Sequence, residues 1–245
     1  MCDTMVIQQC SLHECFKMRK HTEGPEIDLV RKFVNSLCEH NTHSSRKTKD
    51  IVFLEPHIDS GYPDIVVARY DDSVLDNWVE DRCALTDIDL RILSYFMQQN
   101  RGLYLEEITH VLGFDEKELS ASLALLSDCH LVKRNGKRWR SEKKSSFLGI
   151  HKLVAIEAKM SDTACALTQA FRNTRFASHS YALLGSQNPV SRTKDLYRKF
   201  GVGIFAGDNF EEIVKPEAHR LPGCYVTLQF NEWIAAKMIS SADNI

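Results

Sequence analysis

Apolar residues change their spacing several times along the chain, and each change marks a different kind of element. In "GPEIDLVRKFVNSL" (24–37), Ile27, Val30, Phe33, Val34 and Leu37 recur at helical intervals behind Pro25, which suits a first helical turn. Two short apolar runs follow the polar stretch 40–50, "IVFLEPHI" (51–58) and "DIVVARY" (64–70), joined by "DSGYP". Their length and the Gly and Pro between them predict two strands and a turn.

From about residue 84 the texture becomes a compact helical series. "LTDIDLRILSYFMQQN" has Thr86 placed as an N-cap, "YLEEITHVLG" is a short helix stopped by Gly113, and "DEKELSASLALLSDCH" predicts a third helix. "LVKRNGKRWR" closes the series, with Asn135-Gly136 as a type I′ hairpin signal between two strands. After residue 150 the pattern reverts to strand, helix, strand: "KLVAIEAKM", a helix in "SDTACALTQAFRNTRFA" opened by Ser161 or Asp162, then "SYALL". Polar residues 186–199 lead to another strand, "GVGIFAG", and the chain ends in "CYVTLQF" and the helical "NEWIAAKMI". Residues 1–20 carry no clear period, and the chain has no internal repeat.

Composition narrows the picture. With 245 residues, 43% hydrophobic and 26% charged, the chain can bury a sizeable core as one large domain or two small ones. A net charge of -2 provides no whole-chain reason to expect nucleic acid or membrane, so such partners must come from local patches. The eight cysteines never form a C-x-x-C pair, and no signal peptide or transmembrane run is visible, which points to a reducing cytoplasm. "CSLHEC", with Cys10, His13 and Cys15, is the nearest approach to a metal knot, but no second ligand pair stands at a spacing that completes a tetrahedral site.

The chemistry concentrates in "LVAIEAKM" (153–160). A period of two puts Glu157 and Lys159 on one strand face and Val154, Ile156 and Ala158 on the other. Two charges adjacent on a core strand are costly unless they are paired or bind a metal. An E-x-K match alone carries little, because "EKK" (142–144) has the same spacing and "DEK" (115–117) has the Asp form, both in polar surroundings. A plain ion pair at a strand end also accounts for Glu157 and Lys159. Asp64 stands at the mouth of another apolar strand, where an acid after Pro63 is commonly a turn residue, and Glu26 heads the first helix, where an acid favours the positive end.

Taken together, Glu26, Asp64, Glu157 and Lys159 resemble the PD-(D/E)XK nuclease superfamily, with Pro63-Asp64 as its "PD" and Glu157-Ala158-Lys159 as its "E-x-K". Gln169, in "TQAFRN", resembles the glutamine that many members place beside the site, and Asn173 stands four residues later, where one subgroup has tyrosine. The resemblance implies an α/β fold with a mixed central sheet flanked by helices, in the order helix, three strands, helix, strand. It also implies a metal-dependent DNA endonuclease of the kind used in repair, restriction or mobile-element processing. Mg²⁺ or Mn²⁺ would sit on Asp64 and Glu157, Lys159 would orient water, Glu26 would reach the site through a water or a second metal, and Gln169 would position the site or the cut strand. Glu23 is the alternative to Glu26 should the helix phase differ.

Asp64 and Glu157 stand 93 positions apart, which the helical series explains if it is inserted between the two strands. Helix, short helix, helix, hairpin is the order of a winged helix-turn-helix, and "ITHVLGFDEKELSASLALLSDCHLVKR" resembles that family's turn, recognition helix and first wing strand. The expected division is a discontinuous nuclease-like domain over 1–75 and 148–245 with a winged-helix insertion over 84–142. The third helix carries Asp115, Glu116, Glu118 and Asp128 against Lys117, whereas the hairpin region carries Lys133, Arg134, Lys137, Arg138, Arg140, Lys143 and Lys144 against Glu142. The hairpin is therefore the expected phosphate contact and the helix a packing or protein contact. Arg172 and Arg175, on the helix after Lys159, are further candidates for phosphate. DNA is the expected partner, nothing in the sequence excludes RNA, no membrane is expected, a homodimer would suit double-strand cleavage, and the inserted domain is the expected place for a protein partner. A DNA-binding regulator that keeps the nuclease fold without using it is the alternative.

Overall fold

The computed structural model describes residues 5–7, 23–40, 48–59, 61–185 and 189–242. The Cys10, His13 and Cys15 group lies outside the described residues. The chain folds as two compact units, residues 1–70 with 150–222 and residues 71–149 with 223–245.

The first unit is α/β. Its elements are β1 (Met5–Ile7), α1 (Pro25–His40), β2 (Lys49–Leu54), β3 (Ile65–Tyr70), β6 (Ile150–Lys159), α5 (Thr163–Asn173), β7 (His179–Leu184), α6 (Ser191–Lys199), β8 (Gly203–Ala206) and β9 (Glu211–Val214). The strands form one mixed sheet in the order β1-β2-β3-β6-β7-β8-β9. β3 runs antiparallel to both of its neighbours, β2 and β6, and β6, β7 and β8 run parallel. Such strands must carry apolar side chains on both faces, because helices cover both. β7 shows this most plainly: Tyr181 and Leu183 join the cluster around Val30, Phe33 and Val34 of α1, while Ala182 and Leu184 join Ala166, Leu167 and Ala170 of α5 and Tyr197 of α6. The mostly polar stretch 186–199 contains α6, which buried Tyr197 anchors while most of its charged residues and Leu196 stay exposed.

The second unit contains α2 (Asp87–Met97), α3 (Leu105–Leu112), α4 (Glu116–Asp128), the hairpin β4 (Val132–Asn135) and β5 (Arg138–Ser141), and α7 (Tyr225–Ala242). Local chemistry sets the boundaries. Thr86 and Asp89 form a capping box on α2, Gly113 takes φ 74° after α3, and Asp115 accepts from the Lys117 and Glu118 amides at 2.8 and 2.9 Å to start α4. The hairpin turn sits one residue later than the Asn-Gly signal implies. Asn135 pairs with Arg138, leaving Gly136 and Lys137 to turn the chain, and of these only Gly136 has positive φ, 60°. A first central glycine with a non-glycine second is the II′ pattern rather than I′.

The C-terminal segment departs from the division drawn from sequence, which put it with 148–222. "CYVTLQF" and "NEWIAAKMI" are one continuous helix, α7. It belongs to the second unit because Tyr225 and Leu228 enter the core formed by Leu90, Leu93, Phe96 and Leu123. Polar tethers add to this: Arg82 donates to both oxygens of Glu232 at 2.8 and 2.5 Å, and the Asn231 amide bridges Phe147 O and Gly149 N, each at 2.9 Å. Among the described residues, no helix is long and apolar enough to cross a membrane.

Candidate active site and candidate nucleic-acid interface

At the end of β6, the alternation of the strand and the neighbouring chain ends bring together most of the residues that resemble nuclease positions. Ile156 and Ala158 join the α1 side of the core. Glu157 therefore points to the α5 side, where it is 5% exposed. Its Oε1 accepts from Nδ2 of Asn173 at 2.6 Å. Asn173 is buried on the last turn of α5, one helical turn beyond Gln169, so both amides share a helix face. The Gln169 Oε1 atom is buried with no hydrogen-bond partner.

Asp64 sits immediately before β3, which pairs with β6 in the register Ile65 to Ile156. Its Oδ2 accepts from the Ala158 amide at 2.7 Å, which ties the loop carboxylate to the strand that carries Glu157 and Lys159. Lys159 is the last residue of β6, so its stem can turn past the sheet end. Its Nζ donates to Glu26 Oε2 at 3.0 Å and to the Ala158 carbonyl at 3.0 Å. Glu26, in the first turn of α1, is thus the helix acid at the site, and the neighbouring Glu23 is exposed.

The electrostatics of this cluster are those of crowded carboxylates. Burial pushes the Asp64 carboxyl up to about 6; the Ala158 amide and Lys159 oppose the shift, and Glu55 and Glu26 reinforce it. Burial, with the Asp64 charge added, pushes Glu157 up to about 8 against the Asn173 hydrogen bond and the Lys159 charge. Burial works against the Lys159 ammonium, yet Glu26, Asp64 and Glu157 together raise its pKa. It remains a cation at neutral pH and is not a base.

Two residues near this cluster escaped the motif reading. Glu55 ends the β2 run, is buried, and adopts a left-handed φ of 45°. Its amide donates to the Asp64 carbonyl at 3.0 Å, and its charge bears on Asp64. The β-to-turn change at "LEPH" marks the place, but nothing in that string distinguishes a site acid from a turn acid. Asn173 was visible in sequence only as a residue at tyrosine's place in one subgroup; the structure makes it the hydrogen-bond partner of Glu157.

The donor chemistry suits a hard divalent cation. The Asp64 charge adds to the burial cost of ionising Glu157, and a cation beside the two carboxylates would relieve both the repulsion and the burial cost. The Ala158 carbonyl adds a neutral oxygen beside them, currently engaged by Lys159.

In the second unit, the hairpin cations differ in availability. Lys133 is ion-paired with Glu142. Arg134 lies over the Trp139 ring at 5.6 Å and donates to Gly136 O at 2.9 Å, and Arg138 lies over the Tyr104 ring at 4.8 Å. Lys137, Arg138 and Arg140 are exposed, and β5 alternates outward arginines with half-buried Trp139. On α4, Asp115, Glu116 and Glu118 stand at the helix start, where Asp115 serves as the cap, and Asp128 is the last residue of the helix. Arg172 is exposed on α5 of the first unit.

No protein family, no curated protein and no solved structure matches the chain.

Proposed function

We propose that the chain is a metal-dependent nuclease that hydrolyses phosphodiester bonds in DNA, with a winged helix-turn-helix unit that holds the substrate. One observation carries this reading above the others. Two carboxylates, half-buried Asp64 and buried Glu157, are drawn to the same strand end, with a lysine kept cationic beside them. A chain with no use for this cluster gains nothing from burying acids whose ionisation is so costly.

Asp64 and Glu157 are the residues that would hold Mg²⁺ or Mn²⁺, with the Ala158 carbonyl as a third oxygen. When bound, such an ion polarises a phosphate oxygen and acidifies water at neutral pH. Lys159 contributes a fixed positive charge to the phosphate as negative charge grows on it, and its release from the Ala158 carbonyl frees that oxygen. Glu26 holds the Lys159 ammonium at the strand end, and Asn173 fixes one oxygen of Glu157 so that the other faces the site. Gln169, on the same helix face with an unpartnered oxygen, is suited to position water or the cut strand. The chain order α1, β2, β3, β6, α5, β7, with the sheet interrupted by a helical unit ending in a basic hairpin, supports the resemblance to PD-(D/E)XK enzymes carrying a winged-helix insertion.

The test is cleavage of supercoiled plasmid and of single-stranded DNA in Mg²⁺, Mn²⁺ or EDTA, beside Glu157→Ala and Lys159→Ala. Metal-dependent cutting that both substitutions abolish is expected. DNA binding without cutting under every condition would overturn the enzyme reading in favour of a regulator built on an unused nuclease fold.

A further inference from the structure

On α5, Ala166, Leu167 and Ala170 turn inward, and Phe171 is left 47% exposed. On α6, Tyr197 turns inward, leaving Leu196 at 44% and Phe200, just beyond the helix, at 39%. The two phenylalanine rings meet edge to face with centroids 5.2 Å apart at 75°. An aromatic pair that touches while staying in solvent does not serve the core.

What surrounds the pair narrows its partner. Arg175 lies in the turn that follows α5, four residues beyond Phe171, and helical spacing puts Arg192 and Lys199 on the Leu196 face. All three cations are exposed. The one acid of α6, Asp195, stands three residues after Arg192 and four before Lys199, and it is ion-paired with Arg198 at 2.8 Å. A protein partner of ordinary composition would meet apolar rings inside a rim where the exposed cations Arg175, Arg192, Arg198 and Lys199 outnumber the acids Asp195 and Glu217. A strand of unpaired nucleotides offers both complements at once, flat bases for the rings and phosphates for the cations.

We propose that the Phe171–Phe200 pair is a stacking platform for single-stranded nucleic acid, with Arg175, Arg192 and Lys199 taking the backbone phosphates. The inference extends the reading above, since it names an unpaired strand as a form in which the substrate is held. Duplexes bury their base faces and gain only the phosphate contacts here.

The experiment is fluorescence anisotropy of the full chain with one labelled oligonucleotide sequence as single-stranded DNA, single-stranded RNA and duplex DNA. It is run in EDTA, so that binding is read without cleavage, and the variants are Phe171→Ala/Phe200→Ala and Arg175→Gln/Arg192→Gln/Lys199→Gln. The double alanine variant is expected to weaken single-strand binding by about 10-fold to 100-fold and leave duplex binding within about 2-fold. The triple glutamine variant is expected to lower the salt slope for the single strand by about 2. The tighter of the DNA and RNA arms names the source of the strand. Unchanged single-strand affinity in the first variant, or an unchanged slope in the second, overturns the proposal. So does a shift from dimer to monomer in light scattering with affinity intact, which would make the face a contact between copies. Should the alanine variant not fold, the glutamine variant decides alone, because its positions are exposed. Wild-type protein that fails to cut DNA but shows these binding losses sinks the nuclease reading and leaves this one standing.

Discussion

The side-chain amide of Asn173 donates to Oε1 of Glu157 at 2.6 Å across the packed face between α5 and β6. This bond leaves one Glu157 oxygen committed and the other available. Asn173→Ala should therefore raise the Mg²⁺ concentration needed for half-maximal cleavage by about 10-fold, in the range seen when residues supporting a metal ligand are removed. Calorimetric Mn²⁺ binding should weaken in parallel. Metal affinity unchanged in the variant would reduce Asn173 to a packing residue.

Lys159 and Glu157 should fail in different ways. Lys159→Ala removes charge stabilisation and should lower the cleavage rate by about 10²-fold to 10³-fold at saturating metal, with Mn²⁺ binding retained. Glu157→Gln should abolish Mn²⁺ binding itself. Calorimetry beside single-turnover kinetics separates the two, and loss of metal binding in the lysine variant would contradict the assigned role.

Acidity gives a prediction that needs no substrate. Glu157 rises from an ordinary 4.5 to about 8 and Asp64 from 3.8 to about 6, so between those limits the folded chain holds protons that the unfolded chain has released. Stability contributed by these groups is full below the unfolded values and is lost as pH rises through the folded ones, a change on the order of a few kcal/mol. In EDTA the melting temperature should fall between about pH 5 and pH 8, Mg²⁺ should restore it most at the alkaline end, and Glu157→Gln should flatten the profile. A wild-type melting curve indifferent to pH over that range would refute the crowded-carboxylate account.

How much of this was legible in the string depends on whether the signal was local. The strand alternation around Glu157, the Thr86 cap, the Gly113 stop and the hairpin at Gly136 are decided within a few residues, and each is where the pattern puts it, the turn shifted by one. The pairing of Asp64 with the Ala158 amide spans 94 positions and could be expected only by likeness to a known motif. Glu55 and the role of Asn173 had no such motif, because a through-space hydrogen bond leaves no spacing rule. α7 was misassigned for the same reason. Only its second half reads as helical, and which core it enters depends on Tyr225 and Leu228 meeting side chains from Leu90 to Leu123.

The exposed hairpin should contribute charge without sequence readout. Replacing Lys137, Arg138 and Arg140 with glutamine should lower duplex affinity and reduce its salt slope by about 3, roughly equally for unrelated sequences. A slope unchanged in that variant would leave the hairpin a solvated surface.

Arg82 and Glu232, 4% and 8% exposed, form the buried ion pair that ties α7 into its unit, and the Trp78 indole donates to the same carboxylate at 3.1 Å. Arg82→Ala should destabilise that unit by about 3–5 kcal/mol, because Glu232 loses its counter-charge in a dry site. Arg82→Met should cost less. Denaturant unfolding measures both, and an alanine variant as stable as the wild type would show the pair to be energetically idle.

The way the chain threads its two units has a consequence for synthesis. Tyr70 and Ile150 are paired neighbours on β3 and β6, and Asp71 N donates to Gly149 O at 2.9 Å, so the second unit departs from and returns to adjacent points. If its helices collapse first, they hold together two strand ends otherwise separated by a long loop, and the entropy of closing that loop is met before β6 seeks β3. Yet α7 comes after every strand of the sheet. On the ribosome, the second unit therefore starts before the sheet can close and finishes after it, and a chain halted near residue 222 would carry a complete sheet beside an uncovered apolar core.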